Sequence, residues 1–289
     1  MPPTDAKALH DALQPLRSHR PHDCYATAAA QHTDPLAGAI LLAFFVAPDA
    51  LARSSVSTAN VSDSFRQGFV AYWRSGSRDF PARLESTVAF WFRFHLVKAG
   101  VSALLLAVAV AFAVVLWRHV GQRTGGRLAR LRFGLSWAPV GMLGVFALVA
   151  LMANVQGAAA PFASLLPMLT SGGADGELAA TLAQVRHQAD AHPSPRHSPA
   201  LTVMVSDFAV YHAVLAAMAA TLTCALAVTA VVLWKRSRTP VDGRSKRVTK
   251  LGAAVSSLLA AVVLVIALAN VMNAVNSPQA LAHFFAGGW

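Results

Sequence analysis

The chain has 289 residues, of which 55% are apolar and only 13% are charged. Soluble domains average about 25% charged residues, yet 24 Lys and Arg against 13 Asp and Glu give this chain a net charge of +11. A chain that is both hydrophobic and basic indicates a membrane protein with basic loops, and this composition excludes a disordered chain, a collagen and a coiled coil. Its Ala-, Val- and Arg-rich character resembles proteins of high-GC bacteria and predicts a bacterial plasma membrane.

The first predicted element is a short apolar run within residues 1–52. The run 36–47 follows a polar stretch and precedes Ala50, Leu51 and Ala52. It is too short to span a bilayer easily, since a transmembrane helix takes about 20 residues. Its length suits the core of a signal peptide, and the alanines form an A-x-A cleavage site. The pattern predicts a cleaved signal peptide, a retained N-terminal anchor, or a soluble-side or re-entrant element.

Residues 53–90 are predicted to form an amphipathic segment on the outer face of the membrane. Phe65, Phe69, Tyr72 and Trp73 recur at the spacing of one helical face. We therefore expect one short helix that lies on the outer face or packs on the membrane helices.

Four long stretches without Asp, Glu, Lys or Arg predict four transmembrane helices. Each is long enough, at about 1.5 Å per residue, to cross a hydrocarbon core of roughly 30 Å. The stretches without these residues are 99–117, 133–174, 208–234 and 251–289. The predicted spans are residues 91–117, 133–155, 208–234 and 251–272, and the first of them begins before its charge-free stretch and includes Arg93 and Lys98.

The connections between these helices differ sharply in charge. Half of all Lys and Arg lie in the loops 118–132 and 235–250, whereas 156–206 and 273–289 carry few or none. Short loops rich in Lys and Arg stay in the cytoplasm. The pattern predicts two cytoplasmic loops, an extracytoplasmic loop at 156–206 with a short helix at 176–191, and an extracytoplasmic C-terminal tail. We expect the basic loops to attract anionic lipid headgroups and not nucleic acid.

The two pairs of spans are related by an internal repeat. A shift of 117 residues places Trp117 on Trp234 and His95 on His212, and one residue of slippage then places Asn154 on Asn270. The predicted repeats are the hairpins 91–155 and 207–272. Because each contains two spans, both have the same orientation, unlike the inverted repeats of many transporters.

The repeat brings four polar residues to one predicted depth near the outer boundary: His95, His212, Asn154 and Asn270. Each histidine precedes a tryptophan by about 22 residues, roughly 33 Å of helix. Small residues follow each histidine at four-residue spacing, among them Ala103, Ala107 and Ala216. Such ridges let helices approach closely, so we expect the first and third spans to meet along them and both histidines to face a common axis.

These four residues are the candidate ligand-binding site, and several roles remain open. Two facing histidines suit a haem iron or a metal ion, or a substrate headgroup or a proton. The simplest alternative is that they hydrogen-bond to lipid, water or the facing asparagine. No nucleotide-binding loop, hydrolase elbow or zinc-protease motif is present, and Cys24 and Cys224 are too few for a disulfide framework.

The predicted fold is an all-α integral membrane protein, a duplicated transmembrane hairpin that makes a four-helix bundle with an outer amphipathic segment and loop. The leading function is a structural, partner-binding or small-ligand module at the outer leaflet, with a protein partner or a second copy of the chain as binding candidates. One alternative is an outer-leaflet haem- or metal-binding redox enzyme that uses His95 and His212. Another is a small oligomeric transporter. Whether the protein is an enzyme stays open, with the balance against it.

Overall fold

The computed structural model describes residues 38–52, 54–120, 127–174, 176–191, 198–238 and 243–287. Within these ranges every regular element is a helix, which confirms the all-α class. In chain order the helices are α1 Gly38–Ala52, α2 Val61–Ser75, α3 Ala82–Val120, α4 Arg127–Ala159, α5 Pro161–Leu165, α6 Pro167–Thr170, α7 Gly176–Asp190, α8 Pro199–Arg236, α9 Gly243–Val275 and α10 Ser277–Phe285.

Four of these helices, α3, α4, α8 and α9, contain segments long and apolar enough to cross a membrane. The four predicted spans are therefore confirmed as apolar helices. Large apolar side chains on them face outward: Val145 is 63% exposed and Val265 is 67% exposed. Transfer of apolar surface from water to an apolar medium is favourable by about 25 cal/mol per Å². These exposed side chains therefore suit contact with the hydrocarbon of a membrane.

The helices continue beyond the predicted spans. α3 has 39 residues and α8 has 38, so at about 1.5 Å per residue each is roughly twice as long as a 30 Å hydrocarbon core is thick. The additional turns at 82–90 and 199–207 precede the predicted starts. Hydropathy missed them because they carry charges such as Glu85 and Asp207.

The chain divides into two compact units, residues 1–45 with 103–147, and residues 46–102 with 148–289. In the first unit, α1 packs against α4, where the rings of Phe44 and Phe146 meet edge to face with 5.6 Å between centroids. Gly144 of α4 faces Ala109 of α3 in the same unit. This unit consists of the start of α1 and the parts of α3 and α4 that adjoin their connecting loop.

In the second unit the short helices form a compact cluster, here called the cap: α2, α5, α6, α7 and α10 with the first turns of α3 and α8. Phe162 of α5 lies in its core and is 2% exposed. Its ring contacts four others at centroid distances from 5.0 to 6.5 Å, those of Phe65, Phe69, Tyr72 and Phe80. The amphipathic helix predicted in 53–90 is α2, and its apolar face is buried in this core.

Polar contacts join the cap helices to one another. Trp73 of α2 donates its ring N–H to Gln184 of α7 at 3.1 Å, and Arg74 forms an ion pair with Glu177. Arg186 of α7 donates to the backbone carbonyl of Phe285 in α10. Since the partners are far apart in the sequence, the cap is a tertiary structure and not a series of independent loops.

The start of α8 connects the cap to a membrane-spanning helix. Ser198 caps α8 by accepting a hydrogen bond from the N–H of Leu201 at 3.1 Å, and Pro199 occupies the first turn, where its missing N–H costs nothing. Two turns later Asp207 accepts a hydrogen bond from the N–H of Ala163 in α5 at 2.7 Å. A half-buried carboxylate therefore holds α5 against α8.

Two segments predicted as loops are largely helical. Residues 156–206 contain α5, α6 and α7, and α7 matches the short helix predicted at 176–191. Residues 273–289 were expected to be a tail, but they contain α10, whose Phe284 and Phe285 are buried in the cap. A helix as short as α10 shows too few turns for a clear apolar periodicity in the sequence. Its apolar face can be recognised only from its packing in the cap core.

Some predictions fall outside the described residues. These are the N-terminal part of the predicted signal peptide at 1–37, which includes Cys24, and the tips of the two basic loops at 121–126 and 239–242.

Candidate functional site

Each predicted histidine lies beside the asparagine of its own hairpin. In the first hairpin, Nδ1 of His95 on α3 is 2.9 Å from Oδ1 of Asn154 on α4. Asn154 also donates from Nδ2 to the carbonyl of Ala150, one turn earlier in α4, at 2.6 Å. Asn154 is only 5% exposed, so this pair is a buried polar connection between the two helices.

The second hairpin has the same arrangement. Nδ1 of His212 on α8 is 2.7 Å from Oδ1 of Asn270 on α9. Asn270 donates from Nδ2 to the carbonyl of Ile266 at 2.9 Å. The structure thus brings the four predicted residues together as two separate pairs, each within one hairpin.

These hydrogen bonds define the tautomer of both imidazoles. Because each asparagine directs its NH₂ group to a helix carbonyl, its oxygen is the atom that faces Nδ1. A carbonyl oxygen only accepts, so Nδ1 carries the hydrogen and donates it. In a neutral imidazole Nε2 is then the acceptor. Histidines that bind metals are oriented in this way, with one ring nitrogen donating to a protein oxygen.

Aromatic rings surround both imidazoles at matching positions. Trp91 is perpendicular to His95 at a centroid distance of 4.8 Å. Phe208, which the shift of 117 places on Trp91, contacts the His212 ring at 4.5 Å. These two aromatic residues are not among the four predicted site residues, although the same shift of the sequence pairs them.

In the first hairpin, Gly157 of α4 lies directly against the ring of His95. The ring of His95 lies so close to Gly157 that a Cβ atom there would be 2.7 Å from Cδ2, Cε1 and Nε2. Nε2 of His95 is buried and has no hydrogen-bond partner among the described residues. The shift that matches the two asparagines places Asn273 opposite Gly157, so the second repeat lacks this glycine.

The two hairpins contact each other next to these sites. Gln156, two residues after Asn154, donates from Nε2 to the backbone carbonyl of Tyr211 at 3.1 Å. The predicted contact between α3 and α8 along the alanine ridges involves residues of both compact units, such as Ala103 and Ala216. That contact, and a common axis for the two histidines, stay predictions.

The described residues include no group of three or more His, Cys, Asp or Glu placed to hold a metal ion. A haem iron or another metal would therefore depend on the Nε2 atoms of His95 and His212. Cys224 is exposed on α8. It follows His212 by about three helical turns and is therefore not part of the His212–Asn270 pair.

The four long apolar helices are consistent with a multi-pass membrane protein. The chain matches no protein-family model, and comparison with curated proteins and with solved structures finds no significant match. The assignment of a function therefore rests on the residues and geometry of the chain itself.

Proposed function

We propose that this chain is a multi-pass plasma-membrane protein in which two duplicated hairpins support an extracytoplasmic cap. It acts as a structural, partner-binding or small-ligand module at the outer leaflet. The observation that carries the proposal is the repeated hydrogen bond between a histidine and an asparagine, His95 with Asn154 and His212 with Asn270.

The duplication is supported by four kinds of contact that recur at matching positions. Both histidines donate from Nδ1, both asparagines turn their amide NH₂ to the carbonyl one turn back, and both imidazoles have an aromatic ring one turn earlier in the helix. An adjacent aromatic residue, Phe94 or Tyr211, contacts each ring as well. Unrelated hairpins would have no reason to share all four.

A structural role follows from where these bonds act. Each one joins the two helices of a hairpin, and the Gln156–Tyr211 bond joins the hairpins at the same region. Hydrogen bonds between membrane helices are individually worth about 0.6 kcal/mol, but a pair with fixed donors and acceptors specifies one register of the helices. The cap then rests on helix ends that are held in a defined arrangement.

The orientation is supported by the basic loops and by the end of α8. Lys235 and Arg236 occupy its last turn. Trp234 is 51% exposed, and the guanidinium of Arg238 lies over its ring, 5.5 Å from the centroid. Tryptophan favours the membrane interface, and short basic segments stay in the cytoplasm. The basic side also provides contacts for anionic headgroups.

Double-mutant cycles in detergent test the structural role. We expect His95→Ala and Asn154→Ala each to lower the free energy of unfolding, and the double variant to cost about 0.6–1.7 kcal/mol less than their sum. The cycle of His212→Ala with Asn270→Ala should give a coupling of the same sign. The mismatched cycle, His95→Ala with Asn270→Ala, is the control and should be additive within about 0.5 kcal/mol. Additivity in both matched cycles would contradict the proposal.

The binding role needs its own measurement. Native mass spectrometry of protein released from membranes should show a second copy, a partner or a small molecule that survives purification. A bare monomer under conditions that retain the fold would leave the structural role as the whole function.

A second candidate function is a haem or metal centre, favoured by Nε2 of His95, which is buried and has no hydrogen-bond partner among the described residues. A bound group would have to displace Gly157 from the imidazole ring. In that case each Asn would orient its histidine, and the bound group would supply redox chemistry at the outer leaflet. The absorption spectrum and metal content of the purified protein decide this directly. A Soret band or stoichiometric metal, lost in a variant that replaces both histidines by Ala, would establish it in place of the purely structural role.

A further inference from the structure

Helix α1 lies where the sequence suggests a cleavable signal peptide, yet its side chains are part of the folded protein. Ile40 is 7% exposed and Phe44 is 6% exposed, while Leu42 between them is 65% exposed. Phe44 packs its ring against Phe146 of α4. One face of α1 is therefore buried, and the other carries exposed apolar side chains suited to lipid.

The C-terminal end of α1 is also connected to the structure that follows. Oδ1 of Asp49 accepts hydrogen bonds from the backbone N–H and the hydroxyl of Thr58, both at 2.9 Å. Ala52 is 1% exposed and belongs to the same buried cluster as Val56 and Phe65 of the cap. Residues on both sides of the predicted cleavage point thus belong to one core.

We infer that residues 38–52 are not removed but remain in the mature protein as a membrane-embedded helix that completes the cap core. Backbone that is helical and buried resists proteolysis, because a peptidase must reach the peptide bond it cleaves. Here Ala50, Leu51 and Ala52 are helical, and Ala52 is buried. The A-x-A pattern is then a consequence of alanine-rich composition and small-residue packing.

Removal of α1 would damage what remains. Thr58 would lose both hydrogen bonds to Asp49, and the cap core would lose Ala52 next to Val56. A cavity lined by apolar side chains is destabilising. The loss of the Asp49–Thr58 bonds adds less, because both are exposed and water can replace Asp49. Retention of α1 is independent of the binding role of the cap.

The test is the N-terminus of the full chain after expression in a bacterial host and extraction from the membrane. Intact-mass measurement together with peptide sequencing should find residues 38–52 present in the purified protein. A mature N-terminus anywhere from residue 39 to residue 53 would overturn the inference, whatever the function of the cap.

A matched pair of variants shows whether α1 is part of the fold. Ile40→Ala and Leu42→Ala each shorten an aliphatic side chain of the same size, one on the buried face and one on the exposed face. We expect Ile40→Ala to lower the unfolding temperature by several degrees and Leu42→Ala to leave it within about one degree. Equal, negligible effects of both variants would overturn the inference, because a removed helix cannot contribute to stability.

Discussion

His95 depends on the absence of a side chain on the neighbouring helix. A Cβ atom at position 157 would lie 2.7 Å from three atoms of the imidazole, closer than atoms of these kinds approach. The ring cannot move away freely, since its Nδ1 is bound to Asn154. Gly157 is thus as much a part of the first site as the two residues that form the hydrogen bond.

Gly157→Ala should therefore break the His95–Asn154 bond or separate α3 from α4 locally. We expect a loss of about 1–3 kcal/mol in the free energy of unfolding, the range typical of overpacked sites. Gly141→Ala in the same helix is the control, because nothing lies within 4 Å of its added Cβ. That variant should be neutral or stabilising by up to about 1 kcal/mol through helix propensity. Equal effects of the two substitutions would show that the contact with His95 is unimportant.

Tyr72 gives the cap a pH-dependent signature. Its side chain is fully buried, and burial raises the pKa of Tyr72 to about 12. The ordinary pKa of the phenol is about 10, so above that pH the folded state binds more protons than the unfolded state. The contribution of Tyr72 to stability is complete below pH 10 and is lost as the pH rises towards 12.

A spectroscopic titration can measure this directly. The difference in tyrosinate absorbance between the wild-type protein and Tyr72→Phe isolates this residue from the other tyrosines. We expect its midpoint near pH 12, accompanied by loss of the folded cap, whereas Tyr72→Phe should unfold at higher pH. A midpoint near 10 in a protein that is still folded would mean that Tyr72 is in contact with water.

His95, His212, Asn154 and Asn270 could be predicted from the sequence because the predicted repeat places them in register. It did not determine which side chains bond to each other, since an axis shared by two histidines and a separate pair in each hairpin are equally compatible with the same register. Gly157 and Gln156 were missed for a related reason. A close approach between helices and a bond to a backbone carbonyl have no signature in composition or spacing.

Among the elements, α5 shows how much a short helix can contribute. It has five residues and no propensity to form alone, yet its Phe162 touches four aromatic rings from α2 and the segment before α3. Aromatic pairs of this kind contribute about 0.5–1.5 kcal/mol beyond the area they bury. The cap is therefore organised around one side chain.

Phe162→Ala should lower the free energy of unfolding of the cap by about 3–5 kcal/mol. Because the apolar spans do not depend on this ring, their helix content by circular dichroism should change little. Limited proteolysis should reveal new cleavage within 156–206. Phe92→Ala is the control, since Phe92 is 41% exposed on α3, and it should leave the proteolysis pattern unchanged. New cleavage in both variants would indicate that the cap is unstable for other reasons.

The four spans could be predicted because a helix in contact with lipid needs about 20 predominantly apolar residues in a row. Hydropathy alone detects such a run. The cap helices follow a different rule. α2 was visible through the spacing of its aromatic residues, whereas α10 was not, since an apolar segment after the last span resembles a continuation of that span. The contact of Arg186 with the carbonyl of Phe285 and the burial of Leu281, Phe284 and Phe285 assign it to the cap.

For the whole molecule, the proposed parallel repeat makes a strict prediction about topology. Two spans separate the loop after α3 from the loop after α8, so reporter fusions after Arg127 and after Arg244 must lie on the same side. The positive-inside rule places that side in the cytoplasm. Fusions at Gly173 in the cap and after the C-terminal Trp289 should both be extracytoplasmic, because α7 and α10 pack into one core.

Each way in which this prediction can fail has a separate meaning. If the fusions after Arg127 and Arg244 lie on opposite sides, the number of spans between them is odd, and the repeats cannot be parallel. If the two agree but are external, the repeat survives and the cap faces the cytoplasm, where ligands of the outer leaflet cannot reach it. If Gly173 and Trp289 disagree, α10 cannot pack against α7. Agreement of all four fusions places both His–Asn pairs at the same side of the membrane, since each lies at the cap end of its hairpin.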